Sequence, residues 1–331
     1  MKLRKTDHIG GSEGIRLFIH GIIMTLRRQL AVSGSGRPAM HKNSRMQSDD
    51  DRISASLQKA KGRCQYENFS ARIKFDHIPD PQIGPLCSRS RKKVYHLNIG
   101  QPDIETPAQF MDAIRSFDKK VVAYGPSQGD PKLIAQVQKY YEAWGMHYEA
   151  KNIYITNGGS EALELAALAL CDPGDEILVF EPFYANYNSF AKISGAHVKA
   201  VPTHAENGYR LPDAATVEQY VSAKTRAILL TNPGNPTGVV YTKEEMDMVA
   251  GIVKKYGLAL IADEVYREFV YDGAYTSFGT YEDLADNVII IDSVSKRYSA
   301  CGARIGCLIS KNDEFTSQIN KLCQARLCVP E

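Results

Sequence analysis

From Val94 onward, short apolar runs alternate with longer stretches in which apolar residues recur at helical spacing. The runs are 153–155, 176–180, 227–230, 258–262 and 288–291, each apolar on successive positions apart from the leading Glu176, the pattern of strands covered on both faces. Between them, 161–170 follows an Asn-Gly-Gly-Ser opening and 243–256 runs into Gly257, so both segments are predicted helices, the second with a glycine stop. Strands alternating with helices predict βαβ units, and with them an α/β fold: a three-layer α/β/α sandwich around a mostly parallel sheet.

Chemistry-bearing residues follow each predicted strand. In order they are Asn157-Gly158-Gly159-Ser160, Glu181-Pro182-Phe183-Tyr184, Asn232-Pro233-Gly234-Asn235, Asp263-Glu264-Val265-Tyr266 and Ser293-Val294-Ser295-Lys296. Open α/β sheets bind ligands outside the carboxyl ends of their strands, so five such clusters point to one site.

Composition narrows the class without changing that picture. The 331 residues are 44% hydrophobic and 24% charged, as in an ordinary soluble globular protein. Net charge is +2, but residues 1–93 hold 19 of the 40 Lys and Arg and 8 of the 38 Asp and Glu, so a basic front precedes an acidic body. A nucleic-acid arm and a targeting peptide both merit weighing. The apolar run 17–26 is broken by His20 and Gly21, is shorter than a membrane span, and leads into Arg27-Arg28 where a signal peptide would place small residues. No nucleic acid and no membrane partner is therefore expected. The seven cysteines are scattered without a Cys-x-x-Cys pair, which predicts reduced thiols, no metal site and a cytoplasmic protein.

The candidate residues each carry two readings. Gly159 and Ser160 open a helix whose first N–H groups and dipole suit an anion, although Ser160 could equally be a simple helix cap. Ser293 and Arg304 flank Lys296 and offer a second anion contact, or Arg304 is a surface charge. Lys296 either snorkels from a strand end or is an amine nucleophile activated by desolvation and by Arg297 and Arg304 nearby. Asp263, at the end of an apolar strand, needs a partner: a salt bridge, or the protonated ring nitrogen of a cofactor. Tyr266 could donate to that ring's oxygen. The prolines on either side of Asn235 fix its backbone, a way to aim one amide at a ligand. Tyr184 supplies an aromatic face for a ligand or for the core.

Taken together, these motifs resemble the fold-type I pyridoxal 5′-phosphate (PLP)-dependent aminotransferases of the aspartate aminotransferase superfamily. The matching elements are Asn-Pro-x-Asn-Pro-Thr-Gly at 232–238, Asp-Glu-x-Tyr at 263–266, and Ser-x-Ser-Lys followed by Gly-x-Arg-x-Gly at 293–306, with Leu-Asn-x-Gly-Gln-Pro-Asp at 97–103 and Tyr-Gly-Pro-Ser-x-Gly at 124–129. The resemblance implies that Lys296 forms the cofactor's Schiff base and serves as general acid and base. It further implies that Asp263 pairs with the pyridine nitrogen, Asn235 and Tyr266 contact the ring oxygen, and Tyr184 stacks on the ring. Gly159, Ser160, Ser293 and Arg304 would hold the phosphate, with Tyr124 reaching it from a partner subunit of a homodimer. Gly100 and Asn235 would lie beside the substrate. The implied reaction moves an amino group between an L-amino acid and a 2-oxo acid.

The likeness covers residues 94–331, the PLP-binding large domain with part of the small-domain arm. Residues 1–93 do not match the family and are expected to be poorly ordered, and the C-terminal small domain, with its carboxylate-binding arginine, is expected to be missing. A carbon–sulfur β-lyase on the same scaffold, a PLP-binding remnant without activity, and a regulator with a DNA-binding leader are the competing readings. The leader lacks the periodicity of a helix-turn-helix.

Overall fold

The computed structural model describes residues 100–329, so the expectations for 1–93 and for positions 97–99 lie outside the described residues. Seven strands form one sheet: β1 Ile153–Asn157, β2 Glu176–Glu181, β3 His197–Pro202, β4 Thr225–Thr231, β5 Ala259–Asp263, β6 Val288–Ser293 and β7 Ile305–Ser310. Their order is β1-β7-β6-β5-β4-β2-β3. β3, β2, β4, β5 and β6 run parallel, while β7 lies antiparallel between β6 and β1. The three-layer, mostly parallel α/β fold expected from the sequence is thus present.

All five predicted strands form, and β3 and β7 are additions. β3 (His-Val-Lys-Ala-Val-Pro) is an edge strand whose outer positions meet solvent, so it lacks a continuous apolar run. β7 opens on Ile305-Gly306-Cys307, and its Gly306 masks it as a motif glycine.

Successive residues of each strand feed opposite layers. Leu178, Ile228, Leu260, Ala262 and Ile290 join one core cluster, and Ile177, Val179, Leu229, Ile261 and Ile291 join the other. The first cluster is covered by α2 (Pro131–Glu142), which follows α1 (Ala108–Arg115), and by α6 (Lys243–Tyr256). The second is covered by α3 (Gly158–Leu170), α4 (Asn186–Ser194) and α8 (Asp313–Arg326). The short helices α5 (Ala214–Glu218) and α7 (Val294–Arg297) complete the set.

The 243–256 helix has the predicted bounds because both ends are written into the chain. Thr242 and Glu245 form a capping box, and Gly257 takes the left-handed conformation at φ 63°. The other predicted helix starts earlier than expected. Asn157 is its N-cap and Ser160 lies inside the first turn, so the reading of Ser160 as a cap is corrected. Gly158, at φ +78°, makes that early start possible, since a side chain there would also run into the Arg304 guanidinium.

Leu260 is fully buried in β5. Leu260→Ala is expected to lower the unfolding free energy by about 2–5 kcal/mol, lost transfer energy and cavity together. Urea unfolding should show a lower midpoint at unchanged slope, and a midpoint equal to wild type would contradict this packing.

Candidate functional site

The alternation that builds the two core layers continues past the strand ends. Thr231, Asp263 and Ser293 follow the parity of Leu229, Ile261 and Ile291, so their side chains emerge on the α3 side of the sheet. There they line a cleft of about 350 Å³. Ten of the eleven residues singled out in the sequence meet in it: Gly100, Gly159, Ser160, Tyr184, Asn235, Asp263, Tyr266, Ser293, Lys296 and Arg304. The eleventh, Tyr124, stands apart at 81% exposure.

Asp263 is 5% exposed. Its Oδ2 accepts a 2.6 Å hydrogen bond from the Tyr187 hydroxyl, and its Oδ1 accepts from the Val265 N–H at 3.4 Å. Burial pushes the carboxyl up to about 6, against the downward pull of those two donors. Tyr187 is itself buried, which raises its pKa far enough that it remains a donor. Its oxygen is bonded to the Thr231 hydroxyl, and Thr231 is the registered cross-strand neighbour of Asp263. The sequence reading did not single out Tyr187 or Thr231. Thr231 could have been found as a hydroxyl at a strand end beside a predicted buried acid, whereas Tyr187 lies within α4.

Lys296 sits on α7, a single turn capped by Ser293, whose side chain accepts from the Ser295 N–H. Its Nζ donates to the Gly100 carbonyl at 2.6 Å and lies 4.0 Å from Cys301 Sγ. The expectation that Arg297 lies beside Lys296 as an activating cation is corrected. Arg297 pairs with Asp292 and stacks over the Tyr140 ring at 4.1 Å, in the opposite layer. The turn aims Lys296 into the cleft and Arg297 toward α2.

At the other end of the cleft, α3 presents the start of its backbone, where N–H groups have no intrahelical partner. Arg304 reaches the same place, donating to the Asn157 carbonyl at 3.1 Å and the Cys301 carbonyl at 3.0 Å. Gly306 lies so close that an added Cβ would come within 2.7 Å of the Gly159 nitrogen and 2.9 Å of the Asp292 carbonyl. This end is built from backbone at the closest possible approach. Above it, Asn235 Nδ2 donates to the Tyr266 hydroxyl at 3.4 Å, and burial pushes that phenol up to about 12. The other motif asparagine, Asn232, is 2% exposed and accepts from the Tyr241 N–H, so it holds the loop rather than facing the cleft.

The cleft therefore combines a helix start with an arginine and two serines, a phenol–amide pair, an aromatic face, a buried carboxylate and an amine. That donor set fits the chemistry of a planar, phosphorylated, nitrogen-heterocyclic aldehyde.

Comparison with known proteins reaches the same neighbourhood. The family described as aminotransferase class I and II matches residues 92–330. An aspartate aminotransferase of Pyrococcus horikoshii is 32% identical over 249 residues, covering 74% of this chain and 63% of the relative. A putative aminotransferase of Bacillus subtilis, YugH, is 32% identical over 240 residues, covering 72% and 62%. The chain thus spans less than two thirds of the length of these relatives. Among solved structures, an aspartate aminotransferase from Thermotoga maritima superposes with a TM-score of 0.68 at 28% identity, covering 87% of this chain and 69% of that one. An alanine aminotransferase from Pyrococcus furiosus gives 0.69 at 31%, covering 74% and 65%.

The buried carboxylate has a measurable cost when no ligand is bound. With a native pKa near 6 against an ordinary 3.8, the folded state holds the proton more tightly than the unfolded one. Asp263 thus contributes its full relative stability below about pH 4, loses it between about pH 4 and 6, and weighs against folding above that by roughly 3 kcal/mol at most. Asp263→Asn keeps an acceptor for Tyr187 and removes the charge. In ligand-free protein it is expected to unfold at higher denaturant than wild type at about pH 7.5, with the difference vanishing near pH 4. Equal midpoints at both pH values would show that the carboxylate is not desolvated.

Proposed function

The chain belongs to the aminotransferase class I and II family, and from that membership we propose that it binds pyridoxal 5′-phosphate in the Asp263–Lys296 cleft and transfers an amino group between an L-amino acid and a 2-oxo acid. The observation that carries the proposal is the meeting, at adjacent strand ends, of a carboxylate buried to 5% exposure and a lysine amine, both facing a cleft with a helix start at its other end.

In this reading the α3 backbone, Ser160, Ser293 and Arg304 hold the phosphate, and Tyr184 covers one face of the ring. Asn235 and Tyr266, already bonded to each other, offer their N–H and O–H to the ring oxygen. Asp263 holds a proton on the ring nitrogen, and its own raised pKa shows how strongly this site opposes a bare negative charge without a cationic partner. When bound, the cofactor supplies an electron sink for the charge left at the substrate's α-carbon. Lys296 Nζ would anchor the cofactor and, once displaced by the substrate amine, would take the proton from the substrate's α-carbon and deliver it to the cofactor's aldehyde-derived carbon. The Gly100 carbonyl, 2.6 Å from Nζ, holds the amine at the cleft mouth, where Gly100 and Asn235 would lie beside the substrate.

The same reading makes the enzyme a cytoplasmic homodimer. Tyr124, with Val121 and Val122 at 72% and 74% exposure, lies on a surface suited to a second copy, and the partner subunit's Tyr124 would reach the phosphate. The described cysteines, Cys171, Cys301, Cys307, Cys323 and Cys328, are all free thiols, in keeping with a reducing compartment. Of the relatives named above, two carry aspartate and one alanine in their names, so the shared fold leaves the amino acid open.

Protein mixed with PLP is expected to acquire a visible absorbance band, and Lys296→Ala to lack it. Asp263→Asn should slow amino-group exchange between amino acid and 2-oxo acid by about a hundredfold or more, as expected for a lost preorganised charge. Absence of any spectral change in wild type would overturn the cofactor assignment.

A further inference from the structure

Each residue placed on the cleft side at the ends of β5 and β6 has a charged neighbour in sequence that lies in the other layer. Glu264 follows Asp263, Arg267 follows Tyr266, Asp292 precedes Ser293 and Arg297 follows Lys296. All four side chains are buried, between 1% and 9% exposed. Arg297 pairs with Asp292; Asp292 lies 3.9 Å from Arg267; Arg267 pairs with Glu264 at 2.8 Å. Tyr141, fully buried on α2, donates to Asp292 at 3.0 Å and accepts from Arg267 at 2.9 Å. Ser277 and the Phe278 N–H close the far end on Glu264.

Two cations and two anions cancel, but cancellation does not explain their presence. A buried ion network is on average no more stabilising than apolar residues of the same volume, so its value lies in fixing where its members are. Here the members span two loops that must keep a set spacing. α7 is one turn long, too short to hold itself. It is held by the Ser293 cap, by the Cys301 Sγ and Ala300 N–H contacts with the Ser295 carbonyl, by the Lys296 bond to the Gly100 carbonyl, and, on the α2 side, by the Arg297 guanidinium between Asp292 and the Tyr140 ring. The same chain of pairs ends on Glu264, one bond from Asp263.

We propose that Arg297 is a positioning residue for Lys296, and that the Arg297–Asp292–Arg267–Glu264 chain sets the spacing between the lysine amine and the Asp263 carboxylate from the far side of the sheet. The proposal rests on the reading of those two residues as PLP partners.

The test uses the whole chain in three variants: Arg297→Met, Arg297→Lys, and the double variant Arg297→Met with Asp292→Leu. The double variant removes the pair together, strands no charge, and leaves Arg267 with Glu264. Amide exchange across 294–300 in cofactor-free protein and the affinity for PLP are measured, with Arg226→Met, whose partner Asp175 lies at a distant strand start, as control. Exchange in this segment is expected to rise about tenfold in the double variant, and PLP affinity to fall about tenfold, with Arg297→Lys recovering most of both and the control unchanged. A double variant with wild-type exchange and affinity overturns the positioning role, even if Arg297→Met alone fails to fold. Failure of wild type to bind PLP overturns the cofactor reading instead, and the exchange measurement on cofactor-free protein still decides whether Arg297 holds the turn.

Discussion

A carboxylate held at 5% exposure is the constraint on which the cleft depends. Asp263 reaches that depth because it continues the parity of β5, a strand whose other residues are apolar and covered on both sides. With only 5% of its surface exposed, it relies on its surroundings for hydrogen bonds. Tyr187 and Thr231 supply them as a relay: the threonine lies across the strand pair, the phenol bridges, and the phenol's own burial keeps it protonated and donating. The Tyr187 hydroxyl and the Val265 N–H soften the desolvation without cancelling it, and the carboxyl stays near 6. A full salt bridge in their place would leave the site indifferent to an incoming cation. The shortfall leaves the carboxylate open to a positively charged partner.

The anion end obeys a different rule. There the structure removes side chains instead of adding them. Gly158 takes φ +78° against the Arg304 guanidinium, and Gly306 leaves no room for a Cβ between β6 and the start of α3. Backbone N–H groups and one arginine are brought as close as chain geometry permits, so an anion would meet fixed dipoles rather than flexible side chains. Because Arg304 also bonds the Asn157 and Cys301 carbonyls, its position is set before any ligand arrives.

Much of this was legible in the sequence. Doubly covered strands announce themselves as unbroken apolar runs, and five of them located the strand ends where ten of the eleven candidate residues meet. The capping box and Gly257 gave both ends of α6. What escaped has physical reasons. β3 has one side toward solvent and β7 begins on a glycine, so neither carries the pattern of a buried strand. Tyr187 is separated from Asp263 by 76 residues, and a hydroxyl in a helix carries no local mark of the acid it serves. Arg297 was misplaced because nearness along the chain was taken for nearness in space, and the turn after β6 sends adjacent residues into different layers.

That last error exposes the organisation of the whole edge. Strand parity sorts each loop into two populations, one polar residue toward the cleft and one charge toward α2. The cleft side carries groups with capacity to spare: a lysine amine, hydroxyls, an amide, a carboxylate short of full compensation. The far side carries groups paired with one another, Arg297 with Asp292 and Arg267 with Glu264, the Tyr141 hydroxyl bridging Asp292 and Arg267. The polar groups on the cleft side keep hydrogen-bonding capacity, while their neighbours in sequence are held in ion pairs. A change that loosened the far side would therefore act on the cleft through the backbone, since each locked charge and each reactive group share a peptide bond.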